Sequence, residues 1–507
     1  MKRLVSMLLA LIMCLSMFTL VACDDPVEQS STTVPSTSST KEEPPIINPV
    51  DKPLFELEEG ETYDGSEVEI EFSHTMGESL RNVLDEYIAV FNEMYPNITI
   101  NHSQVGGYDD VRDTVSKQII AGTQPNIAYC YPDHVALYHL ADAVVPLDQF
   151  INSTTDVTAA DGSVSPLGMT QAQIDDFIAA YWEEGRCYGD GVMYTLPLSK
   201  STEVLYYNKT YFEANNISVP KTWDELEAVC RQIIAIENNN NCIPLGYDSE
   251  ANWFITMCEQ LNTEYTSATG TKYLFNNEAN QAFVKKFGSW YVEGLLTTQE
   301  IYGAYTSGMF VNMDKSKTYS YMSIGSSAGA SHQVPTGGEF EVGIVPIPQS
   351  DLNNQKVISQ GPSLVILNNE NRQEVIASYL FVEFLTTCVE FQADFSMASG
   401  YIPVIKSVEN DEIYSKWLNG GSPIATSVKV GLEQKDNYYV SPAFSGSSVA
   451  RDEVGNIIQN VFIDYLNYAS LDDNGNVVYD HAGLDAMIDT KFADAIAICE
   501  RKYPSEN

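Results

Sequence analysis

The stretch VEIEFSHTMGESLRNVLDEYIAVFNEMYPNITINHSQV, residues Val68 to Val105, sets the architecture that the rest of the chain follows. Its opening VEIEF alternates apolar and acidic residues, the period of two that predicts a half-buried β-strand. Apolar residues then recur at helical spacing from Leu80 to Met94, and Pro96 predicts the end of this helix. ITINHSQV predicts a second strand. Strand, helix and strand in this order indicate a parallel α/β unit.

The same alternation continues outward from this unit. DDVRDTVSKQIIAG (109–122) predicts a second helix and NIAYCYP (126–132) a third strand. Further on, Thr222 and Glu225 form a capping-box pattern that predicts a helix start. Alternating segments (FEVGIVPIP, SLVILN) and amphipathic helices follow, with no repeat of 20–50 residues. The sequence therefore predicts an α/β fold class.

The N-terminus predicts export. Lys2 and Arg3 precede an uncharged run that ends at Ala22, which is the layout of a signal peptide over residues 1–22. Leu20 to Cys23 resembles a bacterial lipobox, so we expect Cys23 to be acylated and to attach the protein to the membrane by its lipid. An uncleaved anchor is the alternative, since a bilayer span needs about 20 apolar residues. Residues 23–65 are rich in Ser, Thr, Pro and acids and predict a disordered linker.

The bulk composition restricts the partners. The 507 residues carry a formal net charge of −42, which repels phosphate backbones, so we expect no nucleic-acid partner. The length suits two or three domains. Seven cysteines follow Cys23 without a CxxC pair or metal spacing, and we interpret most of them as buried thiols, although a Cys230–Cys242 bridge stays open.

Catalytic motifs are weak. Gly325 to Gly329 satisfies the GxSxG pattern, but a nucleophile elbow needs an acid and a histidine in order after it, and His481 lies beside a predicted hairpin. The acidic residues are too numerous for a pair to be informative. We therefore expect no enzymatic activity, no cofactor and no metal. A secreted glycoside hydrolase with hidden catalytic carboxylates is the competing hypothesis.

Several segments instead have the small, hydroxyl-bearing and aromatic residues of a binding cleft. They are FSHTMGES (72–79), VGGYDDV (105–111), LPLSKSTEVLYYNKTYF (196–212) with PKTWDEL (220–226), MSIGSSAG (322–329), QGPSLVIL (360–367) and SGYIPV (399–404). In this order, behind a lipobox and a linker, they resemble the extracellular solute-binding proteins of ABC importers. The similarity is to the carbohydrate cluster, above all to glycerol-3-phosphate-binding proteins, and covers roughly residues 66–465.

The resemblance implies a two-lobed, type II periplasmic-binding-protein fold with a hinge and an interlobe cleft. Lobe one would be 66–203 plus 361–408, and lobe two 204–360 plus 409–507. The crossings would fall near 201–207, 359–363 and 404–410. A monomer on the outer face of the cell membrane would close on a small solute and deliver it to ABC permease subunits.

The resemblance also implies a ligand site. The family pattern places its ligand-binding positions on the following residues: His74, Tyr108, Asp109, Ser201, Trp253, Ser326, Ser327, Gly361, Tyr401 and Ser447. Tyr108 and Asp109 match a pair that grips glycerol hydroxyls, because one carboxylate can accept two hydroxyls.

The pattern breaks at the phosphate-binding arginine, whose position falls at about Ser447. Arg451 lies four residues on, and Lys200 is another candidate charge. A second cleft tryptophan is replaced near Glu250. Without a bidentate donor for phosphate, a sugar or sugar-like solute is the favoured ligand. A glycerol-phosphate or glycerophosphodiester is the alternative ligand. A separate alternative to the importer role is a sensor or adhesion lipoprotein without a permease.

Overall fold

The computed structural model describes residues 54–267, 272–473 and 477–505. The predicted signal peptide, Cys23 and the linker up to residue 53 lie outside the described residues. Within them, none of the helices combines the length and the apolar character that a membrane crossing requires.

The described strands and helices are as follows. The strands are β1 (Val68–His74), β2 (Ile98–Gln104), β3 (Ile127–Cys130), β4 (Asp156–Thr158), β5 (Val164–Pro166), β6 (Thr195–Pro197), β7 (Glu203–Asn208), β8 (Leu245–Tyr247), β9 (Leu296–Thr298), β10 (Met322–Ser326), β11 (Val342–Pro346), β12 (Val357–Ile358), β13 (Ser363–Ile366), β14 (Tyr438–Tyr439), β15 (Ala469–Leu471) and β16 (Val477–Tyr479). The α-helices are α1 (Glu78–Met94), α2 (Tyr108–Ala121), α3 (Pro132–His139), α4 (Asp148–Ile151), α5 (Gln171–Asp176), α6 (Ala179–Glu184), α7 (Lys209–Ala214), α8 (Trp223–Glu237), α9 (Glu250–Leu261), α10 (Glu278–Val292), α11 (Gln299–Tyr302), α12 (Ser307–Phe310), α13 (Arg372–Thr387), α14 (Val389–Ser399), α15 (Glu412–Leu418), α16 (Pro423–Glu433), α17 (Ser447–Tyr465) and α18 (His481–Lys502). Short 3₁₀ turns cover Ser327–Gln333, Lys406–Asn410, Lys435–Asn437 and Leu466–Tyr468.

The first sheet, in the order β2-β1-β3-β13-β6, forms lobe one. β1 is parallel to both β2 and β3, as the opening stretch predicts, and β13 joins them antiparallel. Val68, Ile70 and Phe72 are buried while the acids between them are exposed, so the alternation in VEIEF marks the two faces of the strand. Leu84, Tyr87 and Phe91 of α1 pack into the same core.

The second sheet, in the order β11-β7-β10-β8-β9, forms lobe two. β10 runs antiparallel to β7 and parallel to β8, so this sheet is mixed. Thr222 caps α8 in the predicted capping box with Glu225. Helices α8, α9, α10, α17 and α18 bury a core that contains Trp253 and Trp290. The fold is the two-lobed α/β architecture that the sequence predicts.

The chain segments that join the lobes lie side by side. Ser201 and Gln360 exchange backbone hydrogen bonds of 2.7 and 3.0 Å, and Lys200 does the same with Ile402 at 3.0 and 2.6 Å. Gly361 has φ of +100°, and a Cβ there would lie 2.7 Å from the Ser199 carbonyl oxygen, so only glycine fits this close approach. The lobes are therefore connected through a narrow, hydrogen-bonded crossing.

Two predicted boundaries differ from the structure. Phe55 and Tyr63, inside the predicted linker, are buried in the lobe-one core. Phe55 stacks on Phe150 with 5.8 Å between ring centroids, which removes apolar surface from water and favours order in this part of the segment. Tyr414 of α15 lies in the same core although residues 409–507 were expected in lobe two. The third passage falls at α16, which packs on both lobes, and not at 404–410.

Candidate functional site

A cavity lies between the lobes and next to the crossing. The space between its lining atoms is about 650 Å³, which includes the open solvent at its mouth. Its walls come from lobe one, from lobe two and from the crossing. The lining residues are Tyr131, Pro132, Asp133, Glu184, Ile255, Tyr265, Ile358, Ser359, Gln360, Val440, Ser441, Pro442, Ser447 and Arg451.

The lobe-one wall follows directly from the end of β3. Pro132 is the first residue of α3, so the chain leaves the sheet and turns at its carboxyl edge, which is where ligands bind in open α/β sheets. This turn places Tyr131 and Asp133 on the cavity wall. Burial alone would raise the pKa of Asp133, but His134, Arg451 and the hydroxyl of Ser448 lower it, so Asp133 is a carboxylate.

The lobe-two wall carries the cavity's arginine. Arg451 lies one turn into α17 and donates from Nη2 to Asn252 Oδ1. Asn252 in turn donates to Gln360 Oε1 at 2.8 Å and to Glu203 Oε1 at 3.0 Å. Burial raises the pKa of Glu203 to about 7, against the opposing effect of its hydrogen bonds from Tyr247 and Asn252. Arg451 therefore reaches the cavity, held by a buried polar network.

A buried ion pair closes the hinge side of the cavity. Lys200, 0% exposed, donates to Glu184, to the Gly361 carbonyl at 3.0 Å and to Ser363 Oγ at 3.0 Å. Ser359 Oγ donates to the other oxygen of Glu184 at 3.0 Å. An ammonium has three donors, and all three have partners here. Lys200 is thus a structural cation, and it does not supply the replacement charge that the sequence left open.

An aromatic cluster adjoins the cavity through Tyr131. The hydroxyls of Tyr108 and Tyr401, two predicted site residues, lie 2.8 Å apart. The ring centroids of Tyr108 and Tyr131 lie 4.4 Å apart. Tyr129 stacks on the ring of Tyr108, with 6.0 Å between their centroids. The two predicted tyrosines are thus brought together behind the cavity wall, with the side chain of Tyr131 between Tyr108 and the cavity.

Four further predicted residues lie at the crossing or in the loops beside it. Ser201 is 3% exposed and pairs with Gln360 through its backbone. Ser327 Oγ accepts from the Thr202 N–H at 3.1 Å, and Ser326 Oγ accepts from the Ala328 N–H at 3.2 Å. The Gly361 carbonyl accepts from Lys200. These contacts fix the crossing.

Ser447 is the predicted residue that lines the cavity itself. Its hydroxyl donates to the Phe444 carbonyl at 2.6 Å. Ser447 Oγ also accepts from the Phe444 N–H at 3.2 Å. The position where the family's arginine was expected thus holds a hydroxyl that stabilises the start of α17.

Three predicted residues neither line the cavity nor lie in the aromatic cluster or at the crossing beside it. Trp253 is 0% exposed in the lobe-two core, with its ring 4.8 Å from that of Tyr247, because the apolar face of α9 points into the lobe. Asp109 lies at the first turn of α2, half-exposed, 3.3 Å from Arg112.

His74 is buried within β1 and bonded to His102 at 2.8 Å. Burial first, and then the neighbouring His102 and Arg81, lower the pKa of His74 to about 4. His74 is therefore neutral at physiological pH, in a chain that continues from His102 to Asp85 at 2.8 Å.

Sequence reasoning missed Tyr131, Asp133, Glu184 and Gln360. Two signals could have found three of them. Tyr131 and Asp133 lie within three residues of the carboxyl end of a buried strand, and ligands of open α/β sheets bind at this edge. Gln360 immediately precedes the glycine that was predicted. Among the described residues no group of three or more His, Cys, Asp or Glu is placed to hold a metal ion.

Two hinged α/β lobes with a cavity between them define the class of protein, a solute-binding protein of the periplasmic-binding-protein fold. The profile of the family described as bacterial extracellular solute-binding protein matches residues 86–419, and the chain belongs to this family. It is therefore a solute-binding protein and not an enzyme.

Individual relatives agree with this assignment. The chain is 24% identical over 351 residues to the sn-glycerol-3-phosphate-binding periplasmic protein UgpB of Yersinia pestis, which covers 66% of this chain and 74% of that protein. Its fold is similar to UgpB of Mycobacterium tuberculosis in complex with glycerophosphocholine, with a TM-score of 0.65, 15% identity and coverage of 86% and 99%. The GacH receptor of Streptomyces glaucescens, solved unliganded and with acarbose, gives a TM-score of 0.65, 13% identity and coverage of 87% and 99%.

Proposed function

We propose that this protein captures a neutral sugar or oligosaccharide in the interlobe cavity and delivers it unaltered to the permease of an ABC importer. The observation that supports this ligand class is the pairing of charges on the cavity wall. Arg451 and Asp133 both line the cavity, and the charge of Arg451 helps to lower the pKa of Asp133. The carboxylate of Glu184 forms an ion pair with the ammonium of Lys200. Apolar and aromatic walls with compensated charges favour a neutral, hydroxyl-rich solute over an isolated anion.

Binding and closure are one event in this proposal. The cavity has walls from both lobes, so a solute contacts all of them only in the closed form. A solute with this differential affinity shifts the population toward closure. The permease then recognises the closed form, and the carrier forms and breaks no covalent bond.

The proposed location is the outer face of the cell membrane. Acylated Cys23 would hold the protein there as a monomer, at the end of a linker that begins at residue 23. Two acyl chains anchor a protein stably where one does not. Replacement of Cys23 by Ala should release the protein from membranes into the soluble fraction, while a Cys14→Ala control should stay membrane-bound.

A glycerophosphodiester is the second candidate ligand, because Arg451 reaches the cavity. Phosphate would have to compete with Asp133 for this guanidinium. That competition predicts weak and strongly salt-dependent phosphate binding, since charge pairing is screened by salt.

A thermal-shift screen separates the candidates. It should contain maltose, maltotriose, arabinose, glycerol, glycerol-3-phosphate and glycerophosphocholine, each at high and low salt. A solute at 100 times its Kd should raise the free energy of unfolding by about 2.7 kcal/mol. A shift with sugars that salt leaves unchanged supports the first proposal. A shift with phosphate compounds alone supports the second, and release of hydrolysed sugar would overturn both.

Pocket variants then test the predicted site. Tyr401→Phe should weaken the sugar-induced shift because it removes the 2.8 Å contact to Tyr108, and Tyr401→Ala should abolish it. Asp109→Ala should change the shift little, against the expectation from the family pattern, because Asp109 is half-exposed and pairs with Arg112. Full responses from both alanine variants would remove Tyr401 and Asp109 from the ligand site.

A further inference from the structure

Asn252 occupies an unusual place, between three polar groups of the cavity region. Its side chain is 3% exposed on α9. Nδ2 donates to Glu203 Oε1 at 3.0 Å and to Gln360 Oε1 at 2.8 Å, while Oδ1 accepts from Arg451 Nη2. All three of its bonds go to charged or cavity-lining groups.

The orientation of this amide is fixed from both sides. A flipped Asn252 would turn its NH₂ toward the guanidinium of Arg451, which has donors only. The flip would also turn its carbonyl oxygen toward the carboxylate of Glu203. Glu203 is itself 1% exposed, and it accepts from the Tyr247 hydroxyl at 2.5 Å as well as from Asn252.

The fixed amide determines what its neighbours present to the cavity. Gln360 Oε1 is occupied by Asn252, so the Nε2 group of Gln360 is the part left to contact a solute. Arg451 has donors only and uses one N–H of Nη2 on Asn252, so its Nε, its Nη1 and the second N–H of Nη2 are its remaining donors. The opposite wall carries the carboxylates of Asp133 and Glu184.

We propose that Asn252 is a positioning residue that assigns the hydrogen-bond donors of the cavity to Gln360 and Arg451. This inference rests on the proposed function. The bound solute then turns acceptor oxygens toward these two residues and hydroxyl donors toward Asp133. This selects solutes that carry hydroxyl, ring or glycosidic oxygens at one end. It rejects solutes that carry an amine at that end, because a donor would face two donors.

The test uses two near-isosteric variants of the full-length mature protein. Asn252→Asp keeps an oxygen toward Arg451 but places a second oxygen against Gln360, which must turn its amide over. Gln360→Glu removes the same Nε2 donor directly. Each variant should weaken maltotriose binding by at least tenfold in calorimetry, and the double variant should lose no more than about threefold beyond the worse single variant. Additive losses would overturn the proposal, because residues that act through one contact are non-additive.

A ligand-free measurement separates failure of this inference from failure of the proposed function. In isotope-labelled wild-type protein, the Asn252 NH₂ protons should show contacts to the Gln360 side chain, and in Asn252→Asp the Gln360 NH₂ protons should approach residue 252. A wild-type Gln360 NH₂ that already points at Asn252 refutes the positioning role. If the wild type binds no sugar at all, the proposed function fails, while this measurement still decides the role of Asn252. Should Asn252→Asp not fold, the wild-type spectrum and Gln360→Glu carry the test.

Discussion

The hydroxyl of Ser448 donates a 2.7 Å hydrogen bond to Asp133 Oδ2 across the cleft. Ser448 lies in the first turn of α17 in lobe two, and Asp133 lies in the first turn of α3 in lobe one. A direct bond between the lobes, beside a cavity that both lobes line, means that this structure has the lobes closed on each other. Closure therefore includes direct contacts between protein groups of the two lobes.

Ser448→Ala should shift the balance toward the open form and weaken solute binding. The lost hydrogen bond to a carboxylate contributes about 1 kcal/mol to closure, which corresponds to about a fivefold higher Kd. Calorimetry measures the Kd, and small-angle scattering of the unliganded protein should show a larger radius of gyration. Ser289→Ala is the matched control, because its hydroxyl bonds only within α10, to the Lys286 carbonyl. Unchanged affinity in Ser448→Ala would show that this bond does not contribute to closure.

Lys200→Met should be strongly destabilising. It leaves Glu184, 1% exposed, as an uncompensated buried charge, for which a cost of about 3–5 kcal/mol is typical. Denaturant unfolding measures the change. Adding Glu184→Gln to Lys200→Met should recover most of the loss, because a neutral amide needs no counter-ion. Equal stability of the single and double variants would contradict the pairing.

Glu383→Gln should make stability less dependent on pH. Burial raises the pKa of Glu383 to about 7 from its ordinary 4.5, although Gln173 donates to it at 2.8 Å. Because the folded protein resists ionisation of this group, its contribution is fully present below about pH 4.5 and is lost as pH rises to about 7. The variant should therefore match the wild type near pH 4 and exceed it near pH 8 by roughly 1–3 kcal/mol. Thermal unfolding across this range measures the difference, and a constant offset would contradict the raised pKa.

The sequence predicts the fold better than the site because the two depend on different ranges of the chain. The strand period of VEIEF, the helix that ends before Pro96 and the capping box of Thr222 are local, and each forms where predicted. Tyr108 and Tyr401, which the family pattern implied as two separate ligand positions, are hydrogen-bonded to each other although 293 residues separate them.

The cavity wall is determined by contacts that no local pattern contains. Arg451 reaches the site because Asn252, far away in sequence, accepts its hydrogen bond. Lys200 cannot reach a ligand because Glu184 and Gly361 use its donors, which only the folded crossing brings together. Phe55 and Tyr63 join the core from a segment whose composition predicts disorder. The composition is misleading there because two aromatic side chains among many polar residues hardly change the average.

Trp253→Phe distinguishes the core position seen in the structure from the cleft position that the family pattern implied. The indole is 0% exposed, stacks on Tyr247 at 4.8 Å and lies 4.4 Å from the ring of Phe287. A smaller ring in this packed site should lower the free energy of unfolding by about 1–3 kcal/mol through the cavity that it leaves. Solute affinity should change less than threefold, since the ring lies inside lobe two and both states of the hinge contain the same packing. Denaturant unfolding and calorimetry on the same preparations give the two quantities. A large loss of affinity with unchanged stability would place Trp253 in the binding site.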